Sequence, residues 1–204
     1  DSITPEFYRL RIANQTINLS IDSTETVTVK AAYPQMSYKY EVEGSENCNT
    51  IKELSLKQML LQSNINGIVK NPNIGVDSVD VIVARMLNDY KQDIKRNYIF
   101  KAPMQASSYY ALFQTIQLGN TNSLIFNPRN NKEDVKVFAA VATSWDTYYP
   151  GAERGKNLHN IAIEGMKDIR IIENQMAQQK IDASKVQVNG CIELALQDNQ
   201  GQIR

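Results

Sequence analysis

VKVFAAVATSWDTYYPGAERGKNLHNIAIEG, residues Val135 to Gly165, is the stretch from which the architecture is read. Val135, Val137, Ala139, Val141, Thr143, Trp145, Thr147 and Tyr149 occupy every second position of its first half. Successive side chains of a β-strand point to opposite faces, so this alternation predicts a strand with those residues on one face. The other face carries Lys136, Phe138, Ala140, Ala142, Ser144, Asp146 and Tyr148. That mixture predicts a strand half-buried on both sides, inside a sheet. Pro150-Gly151 then breaks the run, and Leu158, Asn160 and Ile163 suggest a second strand. The single Trp and the single His of the chain, Trp145 and His159, both lie here.

Outward from this stretch, composition sets limits. The chain has 204 residues, 42% hydrophobic and 22% charged, which is enough for one well-filled core or two small ones. Its 22 basic and 22 acidic residues cancel, so the broad positive field on which nucleic-acid affinity rests is missing. No run approaches the roughly 18 to 20 apolar residues of a membrane span. The opening Asp1-Ser2-Ile3-Thr4-Pro5 reads as a trimmed start without a visible signal peptide. Cys48 and Cys191 match neither a zinc spacing nor a C-x-x-C motif. They read either as two buried thiols or as one disulfide in an exported chain. Asn14-Gln15-Thr16 and Asn18-Leu19-Ser20 fit the glycosylation pattern, which matters only in a eukaryotic secretory setting.

The first forty-odd residues predict an antiparallel meander. Tyr8, Leu10 and Ile12 alternate, then Ile17, Leu19 and Ile21, then Val27, Val29, Ala31 and Tyr33, then Tyr38, Tyr40 and Val42. A helix over about 50–62 follows, with Thr50 and Glu53 as a capping box and Ile51, Leu54, Met59 and Leu60 on its buried side. Residues 64–75 read as a loop. Val79, Ile82, Val83, Met86, Leu87, Tyr90, Ile94 and Tyr98 recur at helical spacing and predict a long amphipathic helix over 77–98, capped by Asp77 or Ser78. Tyr109 to Leu118 and Ser123 to Phe126 read as a hairpin around Gly119 to Asn122, and Asn127 to Asp134 as a polar turn. Met166 to Gln179 fits either helix or strand; Val186, Val188, Ile192, Leu194 and Leu196 read as a late strand pair. The expected fold is α+β, mainly antiparallel sheet with the two helices packed on it. One domain over 1–204 is expected, with a meander over 1–45 on a body over 46–204 as the alternative.

Catalytic motifs do not emerge. His159 with Ser144 and Asp146 would make a triad, yet no G-x-S-x-G elbow surrounds any serine. Asp146 and Glu153 flank the Pro-Gly turn as a carboxylate pair, a commonplace arrangement. Gly151 and Gly155 lack the Lys-Ser/Thr of a phosphate loop, no metal-ligand spacing is present, and no cofactor is expected. The ten tyrosines stand out, with pairs at Tyr109-Tyr110 and Tyr148-Tyr149. Tyrosine suits both recognition surfaces and sheet faces.

Four short motifs carry a resemblance. Ala32-Tyr33-Pro34-Gln35, Asn88 to Asp93, Tyr148-Tyr149-Pro150-Gly151-Ala152-Glu153 and Asn160 to Gly165 follow in the order expected. The chain from about Thr26 to Glu173 thereby resembles the extracytoplasmic domain shared by a lysozyme-sensing anti-sigma factor and a peptidoglycan deacetylase. Pro150 replaces a glycine of the family's loop and Glu153 stands where its histidine is expected. The resemblance implies a secreted or envelope-anchored setting and contacts at the loop from Tyr148 to Gly155.

The resulting expectation is a non-enzymatic, extracytoplasmic binding domain with a tyrosine-rich surface for a protein or cell-wall ligand. Tyr148, Tyr149, Glu153, Arg154 and His159 are its candidate contact residues. A structural subunit of a pilus- or capsid-type assembly, with self-association, is the alternative; a hydrolase with an unrecognised site is the third. Neither nucleic acid nor a membrane span is expected.

Overall fold

The computed structural model describes the backbone of residues 3–201 and side chains through residue 184. The alternating N-terminal segments pair as expected: β1 (Glu6–Ile12) with β2 (Gln15–Ile21), and β3 (Thr28–Ala31) with β4 (Tyr40–Glu43), both antiparallel. They form two separate two-stranded sheets rather than one meander. Ala13, at φ 52, turns the first hairpin. Gly44, at φ 91, ends the second; a Cβ there would lie 2.0 Å from the Thr26 carbonyl oxygen, so only glycine fits.

Ser45, not Thr50, starts the next helix, because its hydroxyl accepts from the Cys48 N–H at 3.2 Å. Helix α1 (Glu46–Val69) therefore begins earlier than expected and runs through residues read as loop. Thr50 turns its hydroxyl back onto the Glu46 carbonyl instead. Helix α2 (Val76–Ile94) follows the predicted periodicity, and its last turn widens into a π-helical turn over Lys95–Ile99. Gly75 holds its cap position with no side-chain bond, so neither Asp77 nor Ser78 caps it. Residues 109–112, expected as strand, belong to the short helix α3 (Ala106–Leu112). The hairpin itself is present as β5 (Thr115–Leu118) and β6 (Thr121–Leu124).

The decisive correction concerns the opening stretch. Asn131 accepts from the N–H groups of Glu133 and Asp134 and starts helix α4 (Lys132–Tyr148), where a central strand was expected. Its buried side is Asp134, Val135, Val137, Phe138, Val141, Ala142 and Trp145, spaced three and four apart. Val135, Val137, Val141 and Trp145 belong both to the alternating set and to this helical stripe, which Phe138 and Ala142, placed on the other face of the expected strand, complete. A strand of that length would also exceed the usual 3–10 residues. After Pro150-Gly151 the chain enters α5 (Glu153–Gly201), which contains the second expected strand, the ambiguous 166–179 and the late strand pair 186–196. At 49 residues it is roughly 73 Å long at 1.5 Å per residue. The side chains of the late pair, and Cys191, lie outside those described; Cys48 is a free, buried thiol.

The fold is thus α+β, but helices rather than sheet form its bulk, with 57% of residues helical and 16% in strands. A main core gathers Leu54, Ile94, Leu112, Phe126, Phe138, Trp145 and Leu158 between the helices. A smaller one joins Ile17 and Leu19 of β2 to Met36, Tyr40, Val42 and Cys48. Helix α4 lies so close to α5 that a Cβ on Gly165 would meet the Pro128 carbonyl oxygen at 2.6 Å and Val135 Cγ2 at 3.1 Å. Among the described residues no helix is long and apolar enough to cross a membrane.

Candidate functional site

Where the first hairpin, α3 and the start of α5 converge, aromatic rings form a row. Tyr109, on α3, has its ring centroid 5.1 Å from Phe7 of β1, 5.0 Å from Phe113 and 4.9 Å from Trp145 of α4. Tyr149 continues the row behind Trp145 at 5.0 Å. Arg154, in the first turn of α5, lays its guanidinium 4.9 Å from the Phe7 ring and 5.8 Å from Tyr109. Such cation–π stacking, with the Arg154 Nη2–Glu6 Oε2 contact of 2.7 Å, fastens the hairpin to α5. Burial works against the charge on Arg154, but the Glu6 carboxylate and the Tyr109 hydroxyl outweigh it and raise its pKa above the ordinary value. Its Nε is buried without a partner.

Polar bonds hold the neighbouring walls. The Tyr110 hydroxyl accepts from Asn18 Nδ2 at 3.2 Å and lies 2.9 Å from Ser55 Oγ. Gln114 accepts from the Tyr90 hydroxyl at 2.8 Å and donates to the Leu54 carbonyl at 2.9 Å. Gln58 donates to the Thr115 carbonyl at 2.8 Å. These bonds tie β2, α1, α2 and α3 around an open groove of about 680 Å³ lined by the five aromatic residues Phe7, Tyr8, Tyr109, Tyr110 and Phe113, and by Arg9, Asn157 and Arg154, among others. A second groove of about 470 Å³ shares Tyr109, Arg154 and Asn157 with it and adds Glu6, Glu153 and Lys156. No carboxylate lines the larger groove. The side chains of Arg9 and Asn157 make no hydrogen bond or ion pair among the described residues, so both are free to meet a ligand.

The five residues singled out from sequence separate. Glu153 and Arg154 line the grooves, Glu153 as an exposed acid paired with Lys156 at 2.9 Å. Tyr149 is half-buried behind the row, and burial first, then the charges of Asp22 and Glu25, push its hydroxyl pKa up. Tyr148 is exposed at the end of α4 and lines neither groove. His159 sits five positions beyond Arg154, roughly 140° round the helix, and pairs through Nε2 with Asp146 of α4. Ser144 does not bond that pair, and no hydroxyl or thiol bonds His159 among the described residues. Asp146 pairs with His159 and Glu153 with Lys156, instead of the two acids facing one another as a pair. Among the described residues no group of three or more His, Cys, Asp or Glu could hold a metal ion.

No family model, curated protein or solved structure matches the chain. The resemblance drawn on Tyr148 to Glu153 expects a strand on each side of the loop; both sides are helix.

Phe7, Arg9, Asn18, Gln58 and Asn157 were not legible as site residues. The adjacent Tyr109-Tyr110 was the one available signal, since neighbours on a helix diverge by about 100° and can serve a core and a groove at once.

Proposed function

We propose that this chain is a non-catalytic binding domain whose ligand lies in the aromatic groove between the first hairpin, α3 and the start of α5. The carrying observation is the combination at one place of a cluster of tilted aromatic rings, a stapled polar wall and an unpaired Arg9 with no carboxylate in the lining. Ring faces accept flat or apolar bodies, and an unpaired guanidinium takes a carboxylate or other anion. The preferred ligand therefore joins an apolar or ring-shaped body to an anionic group, as acidic peptides and carboxylated cell-wall fragments do. The extracytoplasmic setting rests on the four-motif resemblance between about Thr26 and Glu173 alone.

The test is a titration of labelled protein with N-acetylated sugars, acidic dipeptides and aromatic carboxylates, followed by amide NMR. Shifts should cluster at Phe7, Arg9, Tyr109 and Asn157. Asn157→Trp, which fills the groove from its exposed lip, should abolish them. Shifts scattered over the surface, or surviving in Asn157→Trp, would refute the groove.

A further inference from the structure

The first hairpin is closed by Ala13 and Asn14 between the paired Ile12 and Gln15, and this fixes which backbone groups β1 spends on β2. In an antiparallel ladder every second pair exchanges its hydrogen bonds, and a two-residue loop makes its flanking pair one of these. Glu6, Tyr8, Leu10 and Ile12 therefore bond to β2, while the N–H and C=O groups of Phe7, Arg9 and Arg11 point away from it. The opposite edge of the hairpin obeys the same count. Ser20, partner of Phe7, turns both backbone groups outward, where its N–H donates to Cys48 Sγ at 3.4 Å and its carbonyl accepts from that thiol at 3.0 Å. Helix α1 thus covers the β2 edge, and nothing comparable covers β1. Among the described residues no partner meets the outward groups of Phe7, Arg9 or Arg11.

The side chains along this edge are sorted. Phe7, Arg9 and Arg11 share one face, and no carboxylate reaches either arginine; Arg11 only returns its Nε to the Ala13 carbonyl at 3.0 Å. On the other face Tyr8, Leu10 and Ile12 remain 55%, 41% and 50% exposed, although Leu19 and Ile17, the cross-strand partners of Tyr8 and Leu10, are buried. An uncovered edge with an apolar face is a template for another strand, and charged residues beside it choose among candidates.

We propose that the β1 edge binds an extended acidic peptide segment of a partner protein, added antiparallel as a third strand. Residues directly opposite in a ladder share a face, so the partner alternates acidic residues, over Arg9 and Arg11, with apolar ones, over Tyr8, Leu10 and Ile12. The same arginines repel a basic strand. The inference rests on the binding reading of this surface but uses the backbone of β1 rather than the groove.

The probe is a capped, fluorescently labelled seven-residue peptide alternating valine with glutamate, compared with its valine–lysine counterpart by anisotropy at low ionic strength. The acidic peptide should bind about tenfold tighter or more, the scale expected from two partly exposed ion pairs. It should slow amide exchange at Phe7, Arg9 and Arg11. Arg9→Pro removes one outward N–H without touching the bonds to β2 and should abolish binding, with the melting temperature confirming the fold. Arg9→Glu combined with Arg11→Glu keeps every backbone group and should invert the preference toward lysine. Asn157→Trp should leave peptide binding intact, which separates failure of the groove from failure of the edge. Equal binding of both peptides, binding unaffected by Arg9→Pro, or self-association through β1 without peptide capture would each overturn the proposal.

Discussion

Lys91 and Asp134 offer the sharpest test of what holds the helical core together. Lys91 Nζ lies 2.5 Å from Asp134 Oδ2, and the side chains are 17% and 2% exposed. The same oxygen accepts the Asn127 N–H at 2.8 Å, and the ammonium stands 5.6 Å from the Phe126 ring. Compare Lys30–Glu43 at 2.7 Å, where both side chains are 61% exposed and the pair contributes about 0–1 kcal/mol. At Asp134 the carboxylate has no water to fall back on. Lys91→Met keeps the apolar stem and strands that charge, and loss of one member of a buried pair costs about 3–5 kcal/mol. Asp134→Leu strands the ammonium and the Asn127 N–H, with a loss of similar size. The double variant removes both charges and leaves mainly the N–H unpaired, at about 1–3 kcal/mol. Its cost should therefore fall well below the sum of the singles, which is the mark of a coupled pair. Each single variant should lower the melting temperature by roughly 6–20 °C, at about 2–4 °C per kcal/mol for a chain of this size. Urea unfolding at constant slope gives the four free energies. Single losses below about 1 kcal/mol, or an additive double variant, would refute the reasoning.

Two glycines should respond in opposite directions to alanine, each measured by the same urea midpoint. Gly67 in α1 has nothing within 4 Å of an added Cβ, so Gly67→Ala should stabilise by about 0.5–1 kcal/mol through helix propensity. At Gly165 the Pro128 carbonyl at 2.6 Å is backbone and cannot swing aside, so Gly165→Ala should cost about 1–3 kcal/mol despite that propensity. Burial, and secondarily the Tyr110 charge, pushes the Tyr40 and Tyr90 hydroxyls far above the ordinary tyrosine value, and burial with Glu53 does so at Tyr98. A raised folded pKa means that the unfolded chain loses its protons first. The contribution is therefore complete below about pH 10 and is lost as pH rises through the folded values. Alkaline titration followed by ultraviolet absorbance and circular dichroism should show these tyrosines ionising only as structure is lost; full reversible ionisation of all ten in a folded chain would contradict it.

Local signals carried some elements and misled on others. The N-terminal hairpin and the face of α2 were legible because one period dominated each. Residues 135–149 read as a strand because Val135, Val137, Val141 and Trp145 satisfy both periods, and only the burial of Phe138 and Ala142 on the same side as these residues selects the helix. Thr50 with Glu53 matches a capping box locally, whereas Ser45 caps α1 through the Cys48 N–H without one.

By itself the sequence determined composition, neutrality, an α+β mixture and the presence of Arg154, Glu153 and Tyr149 near a break in the chain. Tertiary structure alone decided the site. Phe7, Tyr109 and Arg154 come from a strand and two helices far apart along the chain, and no periodic pattern encodes their stacking. Which hairpin edge stays open was likewise undecidable from alternation, since both strands alternate. Cys48 closing on the backbone of Ser20 settles it, because burying one edge under α1 leaves the unpaired groups on the other.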